Sequence, residues 1–464
     1  MTDIMDFRNQ RVHMIGIGGS SMSGLAEMLQ REGFQVSGSD NAKSHATDRL
    51  EKAGMHVEIG HRAENVRGAG IIIYSAAIAP DNPERMEAAR LGIPEMERSE
   101  LLGQLMRGHK QVICVAGAHG KTTTSSMIAQ VFLDGGKDPT IHIGGRVDRL
   151  GGGSRVGGKD YFVAEACEYH SSFLDMHPTL AVIMNIDEDH LDYYKDIDDI
   201  EHAFGKFLGL LPDNGIALGW GEDERILRLF GKLPCRTVTF GRTQSCDYRA
   251  VNVSLSDHGC PEYDVEYHGE TLAHVRLRVV GEINVMDSLA AFAAAHVCGL
   301  DAGTIAASLR DFGGVHRRFE LTGIVDGVKL YHDYGHNPVE MRTAVNSAMM
   351  QGAGHVWAVM QPHTYSRVKT LFDAYLECTK AADTTLVTDI FAAREKDPGD
   401  IRSEMLVEGM RAHGVNAVLT HTFDDAEQYL RAHWQPGDLV LTMGCGNINL
   451  LNEQIQAHGD TPKQ

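Results

Sequence analysis

The stretch Val115–Met127, VAGAHGKTTTSSM, sets two glycines, a lysine and a run of hydroxyl residues between two apolar segments. The common phosphate loop reads glycine, four free residues, then Gly-Lys-Ser/Thr. Counting back from Gly120, Lys121 and Thr122, the first glycine belongs at position 115, where Val115 stands; Gly117 comes two residues late. The physical needs of such a loop are backbone N–H groups converging on oxygen, a lysine that bridges phosphates, and a hydroxyl for magnesium. Gly117 and Gly120 permit the tight path, Lys121 supplies the charge, and Thr122 or Thr123 supplies the oxygen. The preceding QVICVAG predicts a strand and the following KTTTSSMIAQVFLDGG a helix, which is the context such a loop requires. Nucleotide binding is therefore expected here despite the short spacing.

Working outward, residues before the loop alternate between strand and helix patterns: RVHMIGIGG, SMSGLAEMLQREG, FQVSGSD, IIIYSAA and NPERMEAARLG. This predicts a small α/β domain of dinucleotide-binding type. Its turn, Gly16-Ile17-Gly18-Gly19-Ser20-Ser21, resembles GxGxxG, with Ser21 in place of the third glycine, and Asp40 ends the second strand where an acid meets a ribose. A helix N-terminus there suits any pyrophosphate, so NAD and a UDP-sugar both remain candidates. Beyond the loop, DYFVAEAC and LAVIMNI predict strands, 200–211 a helix, and the polar–apolar alternation from about Cys235 to Val280 an antiparallel excursion. Helices return at NVMDSLAAFAAAHVCG and DAGTIAASLRDF. The last third repeats the strand–helix grammar in GHVWAVMQP, a helix over 366–381, TTLVTDIF, a helix over 405–412 and GDLVLTMG, whose apolar runs predict another doubly wound sheet. The expected fold class is α/β with three domains, over residues 1–107, 108–319 and 320–464.

Composition agrees with several ordinary cores: 464 residues, 43% hydrophobic, 23% charged, and no apolar run long enough to span a bilayer. The start, MTDIMDFRNQ, lacks signal-peptide character, so a cytoplasmic location is expected. The eight cysteines are scattered without a CxxC pair, which suggests reduced thiols. A net charge of −20 argues against nucleic acid and acidic membranes as partners. Acidic groups and a histidine cluster where strands end: Glu165 and Glu168 after DYFVA, and Asp187, Glu188, Asp189 and His190 after LAVIMN. Carboxyl ends of strands are where open α/β sheets bind ligands, so these groups are expected to converge on Mg²⁺ beside the loop.

Taken together and in this order, GAHGKTTT, EACE, NIDEDHLDYY, HRRFE, DYGHNPVE, QPHTYSR and DIFAAREKDPG resemble the Mur ligases of peptidoglycan synthesis, from about Arg11 to Asn449. The resemblance implies an N-terminal Rossmann-like UDP-binding domain, a central ATPase domain and a C-terminal Rossmann-like domain for the amino acid. It is nearest to the branch that adds L-alanine to UDP-N-acetylmuramate, and so implies ATP-dependent amide formation through an acyl phosphate, with ATP and Mg²⁺. In this family the loop is GTxGKT; Ala118 replaces its threonine.

Carried over residue by residue, the likeness implies ATP binding by Gly117, Ala118, His119, Gly120, Lys121, Thr122 and Thr123, with Asn284, Arg318 and Asp333 at adenine, phosphate and ribose. It implies Thr122 and Glu165 on one Mg²⁺ and His190 on a second. Gly18, Gly19, Ser39, Asp40 and Ser75 fall where the UDP part is held, and Tyr334, His336, His363 and Arg367 around the incoming amino acid. Lys121, Glu165, His190 and Arg367 are the implied catalytic set. Two segments depart from the family pattern: GEINVMD has Ile283 and Asp287 where GxHNxxN has histidine and asparagine, and HDYGHNP carries His332, Gly335 and Asn337 as substitutions within DDYAHHP. A ligase that recycles a ready-made tripeptide onto the same sugar nucleotide is one alternative, and a nucleotide-dependent binding protein without catalysis another. A monomer or homodimer is expected.

Overall fold

Five strands, β1 (Arg11–Ile15), β2 (Gln35–Asp40), β3 (His56–Ile59), β4 (Ala69–Tyr74) and β5 (Glu95–Glu97), form an all-parallel sheet in the order β3-β2-β1-β4-β5. β1 is buried along nearly its whole length because helices cover both faces of a parallel sheet. The strand order reverses at β1, so the turn leading into α1 (Ser20–Arg31) opens at the switch point, where ligands bind in such sheets. Three further helices complete this layer: α2 (His45–Lys52), α3 (Pro83–Leu91) and α4 (Arg98–Met106). The computed structural model describes residues 2–190, 193–393 and 395–460; Leu191 and Asp192 of NIDEDHLDYY and Arg394 of DIFAAREKDPG lie outside the described residues.

The second sheet has ten strands: β6 (Gln111–Ala116), β7 (Thr140–Val147), β8 (Gly152–Arg155), β9 (Tyr161–Glu165), β10 (Leu180–Ile183), β11 (Ile216–Trp220), β12 (Arg236–Gly241), β13 (Tyr248–Leu255), β14 (Pro261–Tyr267) and β15 (Glu270–Arg276). Their order is β15-β14-β13-β12-β11-β10-β6-β9-β7-β8. β6 pairs in parallel with β10 on one side and β9 on the other, so the phosphate loop between β6 and α5 (Lys121–Asp134) also leaves a switch point. α6 (Ile197–Leu208) covers this sheet with an apolar face of Ile200, Ala203, Phe204, Phe207 and Leu208.

The third sheet, β16 (Glu320–Val325), β17 (Val328–Asp333), β18 (Val356–Met360), β19 (Thr384–Val387), β20 (Ala417–Leu419) and β21 (Leu439–Met443), has the order β16-β17-β21-β18-β19-β20. All its pairs are parallel except the β16–β17 hairpin.

Two compact units emerge: Met1–Val251 with Val265–Ala273 and Asp287–Leu309, and Asn252–Asp264 with His274–Met286 and Arg310–Gln464. The first holds the first sheet and the second from β6 to β12, joined by one continuous apolar core in which Leu101, Leu102 and Met106 of α4 meet Phe162, Phe173 and Phe204 around the second sheet. Gly103 makes that join possible: a Cβ there would lie 1.9 Å from the Asp175 carbonyl oxygen.

Two expectations need correction. The excursion expected to be antiparallel from about Cys235 starts in parallel, since β12 pairs in parallel with both β11 and β13. Alternating polarity reports burial on one face, not strand direction. The single helix expected over 366–381 is instead two short pieces, Tyr365–Thr370 and Phe372–Tyr375, interrupted at Leu371 with φ −107° and ψ 20°. The hairpins β7–β8 and β16–β17 carry no alternation strong enough to have been read. Among the described residues, no helix is long and apolar enough to cross a membrane.

Candidate functional site: a phosphate loop with a carboxylate-bound lysine

The loop turns through left-handed glycines: Gly117 has φ 146° and Gly120 φ 82°. Both positions are also crowded, because a Cβ at Gly117 would lie 2.9 Å from Met184 Cβ and one at Gly120 2.5 Å from an Asp287 carboxylate oxygen. Asn185, just past β10, clamps the loop from outside, accepting from the His119 N–H at 2.9 Å and donating to its carbonyl at 3.1 Å. The His119 ring lies 3.6 Å from Asp187.

Lys121 opens α5 and folds back over the loop. Its ammonium donates to the Gly117 carbonyl, to Ala118 O at 3.1 Å and to Glu168 Oε1 at 3.0 Å. Burial alone would lower its pKa; the charge of Glu168 outweighs this and holds it above the ordinary lysine range. The lysine is thus a fixed cation over the loop. Thr122 donates to Glu165 Oε2 at 2.9 Å, and the same oxygen accepts the Gly144 N–H at 2.8 Å. Thr123 is half-buried beside it.

His190 joins Glu168 and Asp189 in a further acidic group. Its Nε2 lies 3.7 Å from both Glu168 Oε1 and Asp189 Oδ2. One ligand atom from each of Glu168, Asp189 and His190 falls within 4.8 Å of the others. Glu168 Oε2 is buried and has no hydrogen-bond partner. An orphaned buried carboxylate oxygen beside an imidazole and a second carboxylate fits a divalent cation. Tyr169 packs on the His190 ring at 4.5 Å between centroids, and Tyr194 donates to the Glu168 carbonyl at 2.5 Å.

At the end of β1, Gly18 N–H donates to Asp40 Oδ2 at 2.8 Å, and Gly19 caps α1 with no side-chain bond. Ser39 is fully buried, with its hydroxyl turned away from the turn, while Ser75 is half-buried after β4.

In the second unit, Asp333 ends β17 and accepts the N–H groups of Phe319 (2.8 Å) and Gly335 (2.6 Å), while burial raises its pKa. Arg317 and Arg318 both lie over the Tyr334 ring, at 4.8 and 5.2 Å. Asn284 donates to the Val280 carbonyl. His336 and His363 face each other with ring centroids 5.9 Å apart, and Arg367 donates to His363 Nδ1 at 3.1 Å. Burial, then the charges of His336 and Arg367, push the His363 pKa down to about 4, so its ring is neutral near pH 7.

Three family models cover the chain in order: the Mur ligase family catalytic domain over residues 11–110, the Mur ligase middle domain over 115–295, and the Mur ligase glutamate ligase domain over 317–446. The UDP-N-acetylmuramate–L-alanine ligase of Acetivibrio thermocellus is 43% identical over 447 residues, which covers 96% of this chain and 95% of that one.

The chain belongs to the Mur ligase family.

Among solved Mur ligases, the UDP-N-acetylmuramate–alanine ligase of Thermotoga maritima superposes with a TM-score of 0.82 at 26% identity, covering 97% of this chain and 99% of that one. A murein peptide ligase of Psychrobacter arcticus shares the fold at TM-score 0.73 and 23% identity, over 97% and 98% of the two chains. The fold is thus the three-domain α/β fold of the Mur ligases.

Within this Mur ligase, the sequence set Glu168 among the strand-end groups beside the loop but left it out of the implied catalytic and metal sets; it holds Lys121 and approaches His190. The signal was present in EACE, where the second glutamate follows the strand end by three residues. Asn185 and Arg317 lie within the quoted motifs NIDEDHLDYY and HRRFE but were given no role, since their partners are on segments far away in the chain. Asp287, a departure from the Mur pattern, is 4% exposed and abuts Gly120. Ala118 leaves a hydroxyl out of the loop; Ala118→Thr is expected to lower the Michaelis constant for ATP by about fivefold, the worth of one hydrogen bond to phosphate. An unchanged constant would show that the loop does not use that position.

Proposed function

We propose that this chain ligates L-alanine to the lactyl carboxylate of UDP-N-acetylmuramate, with ATP cleaved to ADP and phosphate. The observation that carries this reading is the near-full-length likeness to an L-alanine ligase in a chain whose loop holds Lys121 ready for phosphate. A carboxylate is a poor electrophile and must be activated. Its oxygen attacks the γ-phosphorus of ATP, releasing ADP and leaving an acyl phosphate. The alanine amine, having lost a proton, then attacks the acyl carbon, and the tetrahedral intermediate expels phosphate as the amide forms.

Lys121, and the N–H groups that the Gly117–Thr123 loop offers, would hold the phosphates and stabilise the charge of transfer. Thr122 with Glu165, and His190 with Glu168 and Asp189, are the groups that would hold Mg²⁺, whose chemistry is to neutralise phosphoryl oxygens. The N-terminus of α1, with Gly18, Gly19, Asp40, Ser39 and Ser75 around it, is assigned to the UDP diphosphate and ribose. Asn284, Arg318 and Asp333 are assigned to the rest of ATP. Arg367 is assigned to the alanine carboxylate, which a guanidinium binds in bidentate fashion, with Tyr334, His336 and His363 lining its surroundings. These assignments divide the work among residues 1–107, 108–319 and 320–464.

The test is phosphate release and product mass with Mg-ATP, UDP-N-acetylmuramate and either L-alanine, tripeptide or no amine. Phosphate release that requires both the sugar nucleotide and L-alanine, with product heavier by one alanyl residue, is expected. Activity with the tripeptide alone would move the assignment to recycling, and no ligation with either would leave a nucleotide-binding role.

A further inference from the structure

Beneath the glycine turn of the first sheet lies a carboxylate that neither phosphate nor metal chemistry uses. Glu84, in the first turn of α3, is completely buried. Its Oε2 accepts from the Ser39 hydroxyl at 2.7 Å and from His13 Nε2 at 3.3 Å; its Oε1 accepts from Asn65 Nδ2 at 2.6 Å and the Arg62 N–H at 3.3 Å. His61 Nδ1 lies 3.0 Å from the Ser39 oxygen and 3.7 Å from Glu84 Oε1. Burial alone would raise the Glu84 carboxyl, but hydrogen bonds from His13, Ser39 and Asn65 hold it below the ordinary range, so it is an anion.

No arginine neutralises it. The Arg62 guanidinium is on Glu58 and the Ile59 carbonyl, and that of Arg11 is on Ser37 and the carbonyls of Asn65 and Arg67. A buried ion met only by neutral or imidazole donors is costly unless every lone pair is used. Here each oxygen takes two donors, drawn from β1, the end of β2, the segment after β3, and Asn65.

The end of β2 is what this arrangement holds. The Ser39 carbonyl accepts the N–H groups of Gly16 (2.8 Å) and Ile17 (3.0 Å), and Asp40 accepts that of Gly18 (2.8 Å). Three successive amides of the turn that heads α1 therefore hang on Ser39 and Asp40. Ser39 is in turn fixed by Glu84 and His61.

We propose that Glu84 is a positioning residue for the Gly16–Gly19 turn, and through it for the diphosphate of the sugar nucleotide; the second part rests on the function proposed above. Glutamine is a poor replacement. Turned one way, its NH₂ group meets the Asn65 amide and the Arg62 N–H, donor against donor; turned the other way, it keeps partners only if the Ser39 hydroxyl swings to donate to His61 and the His13 ring changes tautomer.

The experiment compares the full chain with Glu84→Gln and Glu84→Asp by amide hydrogen exchange of residues 16–18, by calorimetric titration of UDP-N-acetylmuramate, and by steady-state kinetics. For Glu84→Gln, exchange of these amides is expected to speed up at least tenfold and sugar-nucleotide affinity to fall at least tenfold. The Michaelis constant for ATP should stay within twofold. Glu84→Asp keeps four acceptor sites on a shorter arm and should fall between, which preserves the test if the glutamine variant does not fold. Unchanged exchange in the variants would overturn the proposal, as would equal losses for ATP and sugar nucleotide. If exchange responds but the unaltered protein does not bind UDP-N-acetylmuramate, the positioning role stands and the assignment of that pocket to a UDP-sugar fails.

Discussion

Lys121→Met should abolish turnover and also weaken the fold, and a second substitution should undo only the latter. The lysine ammonium is the fixed positive charge of the phosphate loop, bonded to Gly117 O, Ala118 O and Glu168. Removing a group that stabilises charge developing on a transferring phosphoryl lowers kcat by about a thousandfold. Its partner Glu168 is 3% exposed and would be left as a buried charge without its nearest cation. Breaking such a pair from one side costs about 3–5 kcal/mol, more than the pair itself contributes. Lys121→Met/Glu168→Gln removes the stranded charge and should recover most of the stability, measured by urea unfolding, while the kinetics remain dead. A double variant as unstable as the single one would show that Glu168 is not what the lysine neutralises.

A second large effect is expected on acidification. His142 of β7 and His332 of β17 each have a pKa pushed down to about 3, by burial first and then by Arg98 and Arg317 respectively. His142 Nε2 meets the Ser21 hydroxyl at 2.8 Å, while its Nδ1 is buried without a partner. His332 accepts from Arg317 Nε at 3.0 Å and uses its other nitrogen on Thr442 at 3.0 Å, so a further proton would break the arginine bond. Unfolded, both rings titrate near the ordinary value of about 6.5. Between that value and about 3 the unfolded chain holds the extra protons, so stability falls as pH falls through this window and is unaffected above it. At about 1.4 kcal/mol per pH unit, each ring removes about 2 kcal/mol between pH 6.5 and 5. Urea unfolding of the first unit at pH 7.5 and 5.0 checks this: His142→Gln should lessen the loss by about 2 kcal/mol, and an unaltered loss would mean that His142 is not the group responsible.

Much of the site could be read along the chain because its chemistry is local. A phosphate loop is a few consecutive residues at one strand–helix junction, so QVICVAGAHGKTTT announced it even with Val115 in place of a glycine. Glu165 and His190 were legible because ligand groups follow strand ends, and strand ends show as the last residue of an apolar run. The group around His190 was only half legible: His190 was expected apart from Thr122 and Glu165, but its neighbours Glu168 and Asp189 were not singled out as its partners. Pairing between side chains from different strands depends on strand order, and the β10-β6-β9 order cannot be counted off the chain.

By itself the sequence determined the α/β class, the family and the residues of the loop, since periodicity and short motifs are properties of neighbours in the chain. Only the tertiary structure decided that the first two sheets share one core through α4, that β12 runs parallel to β13, that Lys121 is held by Glu168, and that Glu84 lies under the glycine turn. Each of these joins residues dozens of positions apart or more, or turns on direction rather than burial. Hydrophobic pattern records which face is covered, and is silent about what covers it.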